Sequence, residues 1–151
     1  MNQDFRELLQ IFSDERVRYL IIGGYAVIKH AEPRYTKDLD LWVSPDAVNA
    51  ERVYRALSKF GAPISELSPT DFTQAGYFFT MGFPPSRIDL FFDSLKLNFE
   101  ECWKRRVETQ IGETKIYFIS REDLIINKEA VGRFQDLADA EKLRLTESEN
   151  L

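Results

Sequence analysis

The chain is short of the residues that most often carry metal and redox chemistry: its 151 residues include one cysteine, Cys102, and one histidine, His30. A lone cysteine excludes an internal disulfide and any cysteine-built metal cluster. A lone histidine removes the usual ligand set of histidine-rich, metal-dependent hydrolases and nucleases. Basic charge is also in deficit, since 20 Lys and Arg against 25 Asp and Glu leave a net charge of −5. That balance disfavours nonspecific binding of long nucleic acid, which needs a basic surface. No apolar run approaches the roughly 20 residues of a membrane span, so no membrane partner is expected. The opening MNQDFRELLQIF has neither the basic start nor the apolar core of a secretory signal. A cytoplasmic location is the resulting expectation.

What is present reads as one α/β (α+β) domain over residues 1–151, a length that suits a single core better than two. Phe5, Leu8, Leu9 and Phe12 recur at helical spacing and predict a first helix over residues 4–16. A second helix is expected from Ser44-Pro45-Asp46 to Phe60, with Ser44 as N-cap, Pro45 at its first position and Gly61 ending it. Residues 62–76 read as an irregular loop with room for a short strand. Residues 77–82 and 87–92 predict a hairpin turning through Phe83-Pro84-Pro85-Ser86, in a Phe-rich sheet. Further on, the pattern predicts a helix over 99–107, a strand over 114–119 and a helix opened by Ser120. Gly132 interrupts that helix, a final helix runs over 133–145, and 146–151 is expected to fray. The predicted architecture is a small mixed sheet flanked by helices, chiefly on one face, with helices at the C-terminus.

The chain is organised around residues 19–43, YLIIGGYAVIKHAEPRYTKDLDLWV. Tyr19 to Ile22 has the content of a buried strand, and Gly23-Gly24 lets the backbone turn tightly and approach a ligand. Residues 25–30 predict a short helix, which places the glycines at its NH-rich, positive end, where anions bind. In the strand that follows, alternation puts Asp38 and Asp40 on one face and Leu39 and Leu41 on the other. Two carboxylates held side by side repel unless a cation lies between them. Lys29, His30, Arg34 and Lys37 form the one basic patch between glycines and carboxylates, opposed there only by Glu32. It reads either as a solvated loop or as a phosphate contact.

An apolar strand, Gly23-Gly24, a gap, Asp38-Leu39-Asp40-Leu41 and then Ile88-Asp89-Leu90 together resemble the nucleotidyltransferase superfamily of DNA polymerase beta. Arg34-Tyr35-Thr36 ahead of the carboxylates resembles the smaller bacterial branches, among them antibiotic-modifying and toxin–antitoxin nucleotidyltransferases. So does the C-terminal run Asp123-Leu124 … Lys128 … Gly132-Arg133-Phe134-Gln135-Asp136. The resemblance spans most of the chain, from about Tyr19 to Asp139.

The resemblance implies an enzyme that transfers a nucleoside monophosphate from an NTP, such as ATP, to a hydroxyl. It implies Asp38, Asp40 and Asp89 as catalytic residues and ligands of Mg²⁺, with two ions and Mn²⁺ as a substitute. Gly23, Gly24, Arg34, Thr36 and Lys128 are the implied nucleotide-binding residues. Tyr25 is a candidate for stacking on the base, as is Tyr35, and His30, Arg133 and Asp136 are candidates by location. Several of these have plainer roles open to them. Lys128 would either meet the triphosphate or pair with Asp136 or Glu129, and Arg133 and Asp136 have the spacing of an i,i+3 salt bridge. His30 would serve as a packing or hydrogen-bonding residue. The acceptor is expected to be a small molecule, an RNA end or a protein side chain. Larger relatives close a helical domain over the site; here the C-terminal helices or a second copy, as a homodimer, would do so. The competing reading is a catalytically silent, nucleotidyltransferase-like module of a toxin–antitoxin system.

Overall fold

The computed structural model of the chain describes residues 1–94 and 96–149. Helix α1 (Gln3–Asp14) starts where the Asn2 side chain accepts the Phe5 N–H, and it buries the predicted stripe of Phe5, Leu8, Leu9 and Phe12. Strand β1 (Tyr19–Ile22) is buried at every position and runs directly into α2 (Gly23–His30). The glycines are therefore the first turn of that helix, not a turn ahead of it. β2 (Asp38–Val43) follows. Helix α3 (Ala47–Phe60) starts later than predicted. Its N-cap is Asp46, whose carboxylate accepts the Asn49 N–H at 2.8 Å and the Ser44 hydroxyl at 2.6 Å. A charged acceptor is the stronger cap, so Ser44 serves the cap instead of being it. Gly61 ends the helix in the left-handed region, φ 91°.

Residues 62–76 hold no strand but a short 3-10 helix, Pro69–Thr73, capped by Ser68. The predicted hairpin forms as β3 (Phe78–Met81) and β4 (Arg87–Phe91). α4 (Phe99–Lys104) is shorter than expected, because Val107 belongs to an additional strand, β5 (Val107–Ile111). β5 turns at Gly112 into β6 (Thr114–Phe118). Ser120 caps α5 (Arg121–Val131) by accepting the Asp123 N–H at 3.1 Å, and Gly132 closes it at φ 74°. α6 (Phe134–Glu149) is helical through residues 146–149, where fraying was expected; 150–151 lie outside the described residues.

The strands form one mixed sheet in the order β3-β4-β2-β1-β6-β5. β2 lies antiparallel to β1 and parallel to β4, with Ile22 opposite Asp40 and Asp40 opposite Asp89. This register divides the two faces. Tyr19 and Ile21 share one with Leu39, Leu41 and Val43, while Leu20 and Ile22 share the other with Asp38, Asp40 and Trp42. Helices cover both faces, not chiefly one. Phe12 of α1 meets Tyr19 with ring centroids 5.5 Å apart, and Phe99 of α4 stands edge-on to Trp42 at 5.2 Å. Trp42 is almost wholly buried, yet its indole N–H finds no acceptor among the described residues. No helix among the described residues is long and apolar enough to cross a membrane.

Candidate active site

Period-two alternation on β2 and the parallel pairing with β4 bring Asp38, Asp40 and Asp89 to the same sheet face. Asp40 and Asp89 are direct partners, while Asp38 stands opposite Arg87. Asp89 is 5% exposed, and its carboxylate accepts the Thr80 hydroxyl at 2.7 Å and the Arg87 Nε–H at 3.1 Å. Among the described residues Asp40 has no such side-chain donors. Burial first, then the charge of Asp89 and a hydrogen bond shared with it, then the charge of Asp38, raise its pKa to about 7. The Lys128 charge opposes that rise without cancelling it.

The glycine pair is shaped to this cluster. Gly23 has φ +67°, and a Cβ there would lie 2.1 Å from Asp40 Oδ2. A Cβ on Gly24 would lie 2.6 Å from Thr36 Oγ1 and 3.6 Å from the Arg34 guanidinium. The first turn of α2 is thus packed on the carboxylate strand and on Arg34 and Thr36 together. A larger residue at either position would have to displace the Asp40 or Thr36 side chain. The N–H groups of a first helical turn have no intrahelical partner, which leaves this end of α2 suited to an anion.

Other candidates occupy a second, adjoining cluster. Lys128 is buried between α5 and α6, its Nζ 3.4 Å from Asp136 and 3.2 Å from Asp139. Arg133 Nε donates to Asp136 at 2.7 Å, so the i,i+3 pair is present. Arg34 reaches across to donate to Asp139 at 2.6 Å, and Gln135 adds a bond at 2.8 Å. Burial works against ionisation of both aspartates. The side-chain hydrogen bond from Arg133 to Asp136, those from Arg34 and Gln135 to Asp139, and the Lys128 charge nevertheless hold both below the usual carboxylate range. Glu129 pairs with Arg144 instead of Lys128.

His30 is turned elsewhere. Its Nε2–H donates to the Ile119 carbonyl at 2.7 Å, and Arg121 donates to the His30 carbonyl at 3.1 Å. Burial holds its pKa below the ordinary histidine value, so the ring is neutral and ties α2 to the start of α5. Tyr25 is half-buried, edge-on to Phe5 at 5.8 Å, whereas Tyr35 is 75% exposed. Both line a groove of about 430 Å³ with Ile28, Arg34 and Thr36. A larger groove of about 500 Å³, between α1 and the β5–β6 turn, is lined by none of the candidate residues.

Thr80, Arg87 and Asp139 are site neighbours with no role expected from the sequence, and Gln135 enters it only as part of the C-terminal run. Thr80 and Arg87 owe their place to strand register. Asp139 had one sequence signal, its i,i+3 spacing from Asp136 on the helix face that Lys128 meets.

A divalent cation is tested by the donors present. Two partnered carboxyls on adjacent strands, one of them raised to about 7 by burial and its neighbour, offer the hard oxygen ligands that Mg²⁺ takes. Among the described residues no three His, Cys, Asp or Glu are placed together to hold a metal ion, so the expected set of Asp38, Asp40 and Asp89 shares a face but is not gathered as three ligands. Substrate oxygens and water would have to fill the remaining positions, as is usual for Mg²⁺. The residues fit.

The family profile described as "Nucleotidyltransferase of unknown function" (DUF6036) matches residues 2–151. No curated protein sequence matches the chain. Among solved structures it is similar to the lincomycin-bound lincosamide antibiotic adenylyltransferase LnuA, with TM-score 0.60 and 18% identity over 95% of this chain and 96% of that one. At that identity the likeness is one of fold. With a matching profile over 2–151 and this fold, the chain belongs to the DUF6036 nucleotidyltransferase family.

Proposed function

We propose that the protein transfers a nucleoside monophosphate from an NTP to a hydroxyl acceptor, with Asp38, Asp40 and Asp89 holding Mg²⁺ or Mn²⁺. The observation that carries this reading is the Asp40–Asp89 pair with Gly23 seated against Asp40 Oδ2. It joins an anion-binding helix start to a carboxylate pair with no room between them. In the reaction the acceptor oxygen bonds to the α-phosphorus, the bond to the β-phosphate breaks, pyrophosphate leaves and the hydroxyl proton passes to solvent. Backbone N–H groups of Gly23 and Gly24 would bind the outer phosphates, with the Arg34 guanidinium beside Gly24 adding charge. Thr80 and Arg87 orient Asp89 through the two bonds its carboxylate accepts. A bound divalent cation supplies the positive charge that offsets the triphosphate and acidifies the acceptor hydroxyl. Lys128 acts at one remove: held by Asp136 and Asp139, it places a fixed positive charge behind Asp40. The groove lined by Tyr25 and Tyr35 is the place for the base.

The test is incubation with each α-labelled NTP, Mg²⁺ and a panel of hydroxyl acceptors, following label transfer and pyrophosphate release. Transfer that requires the metal and is lost in Asp40→Asn is the expected result. If NTP raises the melting temperature equally in EDTA and no label moves, the protein is instead a silent binding module of the toxin–antitoxin type.

A further inference from the structure

From the site face of β3 and β4 we infer that the acceptor is a small hydroxylated molecule with a flat apolar ring, neutral or cationic, seated on Phe78 and Phe91. This rests on the nucleotidyl-transfer reading and names the acceptor class for it. The strand register places Phe91 opposite Phe78 just as it places Asp89 opposite Thr80. Phe91 is two residues beyond Asp89 on one strand, so both point to the same face about 7 Å apart. The two rings stack with centroids 5.8 Å apart and 26° between planes. Phe78 is 59% exposed, on a strand at the edge of the sheet. Trp42 shares this face, but Phe99 covers it. The Phe pair is the part left open, and it begins one pleat from the carboxylate that faces the reacting hydroxyl.

A groove of about 390 Å³ continues the shelf around the edge strand, lined by Phe72, Tyr77, Phe78 and Phe79 with Asp71 as its one charged residue. Beside it the Asp93 carboxylate accepts the Gly76 N–H at 2.9 Å. A phosphate backbone would meet carboxylates there, and the cation on the adjoining site face, Arg87, is engaged by Asp89 at 3.1 Å, which disfavours a nucleic-acid acceptor. A ring with an apolar face and no negative charge meets an aromatic floor and an acidic rim. In the transfer step its hydroxyl oxygen forms the bond to the α-phosphorus, pyrophosphate leaves, and the proton goes to solvent.

Phenyl β-D-glucoside, a flat phenyl ring joined through its glycosidic oxygen to a hydroxyl-bearing sugar ring, is the probe, titrated at millimolar concentration into ¹⁵N-labelled protein while amide signals are followed. The expected result is movement confined to residues 77–80 and 89–91. Phe78→Ser, at an exposed position whose folding the same spectra verify, should weaken that binding roughly tenfold. Oligouridylate should leave these signals in place. Several results overturn the proposal: no movement at β3 and β4, equal binding by Phe78→Ser, or tighter response to oligouridylate. Shifts that grow with protein concentration alone would also do so, by seating a second copy on the shelf. Magnesium–NTP binding by the wild-type chain is read in the same spectra. If it occurs while the glucoside misses the shelf, only this inference fails. If it is absent, the transfer reading fails, and with it the shelf's role as an acceptor subsite.

Discussion

Two buried acidic clusters adjoin in this molecule, and they are built on opposite principles. At the α5–α6 junction, Asp136 and Asp139 face Lys128, Arg34 and Arg133. On the sheet, Asp40 faces Asp89 and Asp38; Arg87 is engaged by Asp89, and the Lys128 charge offsets the repulsion at Asp40 only in part. The consequence is opposite pKa shifts, downward for Asp136 and Asp139 and upward for Asp40. A compensated cluster holds helices together. An under-compensated one keeps repulsion that a proton or a bound cation would relieve, and in this molecule that difference distinguishes the two clusters more sharply than burial does.

The strongest way to break the comparison is Asp139→Ala. It leaves Lys128 one partner and Arg34 none from this pair, and breaking a buried ion pair costs about 3–5 kcal/mol. Urea denaturation should show a loss of that size with an unchanged slope; a loss below 1 kcal/mol would mean the cluster is ornamental.

Asp40→Asn should do the reverse in the absence of metal. The folded pKa of Asp40 is raised, so its contribution to stability is full below about pH 4 and is lost as pH rises through about 7. The Asn variant should remove that decline, gaining on the order of 2 kcal/mol near pH 8, because an amide donates to Asp89 without charge. The same variant should lose any stabilisation that Mg²⁺ and NTP give the wild-type chain under the proposed function. Parallel pH profiles for the two proteins would refute an uncompensated pair.

Gly23→Ala probes the join between the glycines and Asp40. The positive φ and the 2.1 Å approach to Oδ2 should cost roughly 1–3 kcal/mol and displace the carboxylate. NTP-dependent stabilisation should fall more than the fold's own stability does. A variant that binds NTP normally would show that the glycines are a plain turn.

The smallest effect is the sharpest control. The loop between α2 and β2 is tied to α6 twice, by the buried Arg34–Asp139 pair and by Lys142–Glu32, which is 45% and 52% exposed. Lys142→Ala should change stability by less than about 0.5 kcal/mol. A larger change would mean that position on the surface, not compensation within the interior, sets what such a tie is worth.

The carboxylate face was legible because a period of two is a local property. Asp38 and Asp40 had to share a side whatever their strand paired with. That Asp89 belongs with Asp40 was legible only through the family resemblance, since a parallel register between distant strands leaves no mark in either segment. β5 escaped for a related reason: Val107-Glu108-Thr109-Gln110-Ile111 is an edge strand with a half-exposed alternation and only two apolar residues. The preceding Cys102-Trp103-Lys104 reads naturally as helix continuing into it. Asp139 looked like any acidic residue on a charged C-terminal helix. Its burial comes from Arg34, 105 positions away, and nothing near it in the chain announces that partner.

The two tryptophans give the protein an optical readout. Trp42 is sealed beneath Phe99 on the face that carries Asp40, two residues along the same strand. Trp103 is flanked by the guanidinium groups of Arg18, at 4.8 Å, and Arg106, at 4.1 Å. An indole in an apolar enclosure emits toward the blue, and one between cations is quenched and emits further to the red. Rearrangement around the carboxylates would change the first component and spare the second. Substituting Trp103 with Phe would leave a single tryptophan two positions from Asp40, so that rearrangement around the carboxylates could be followed without a label.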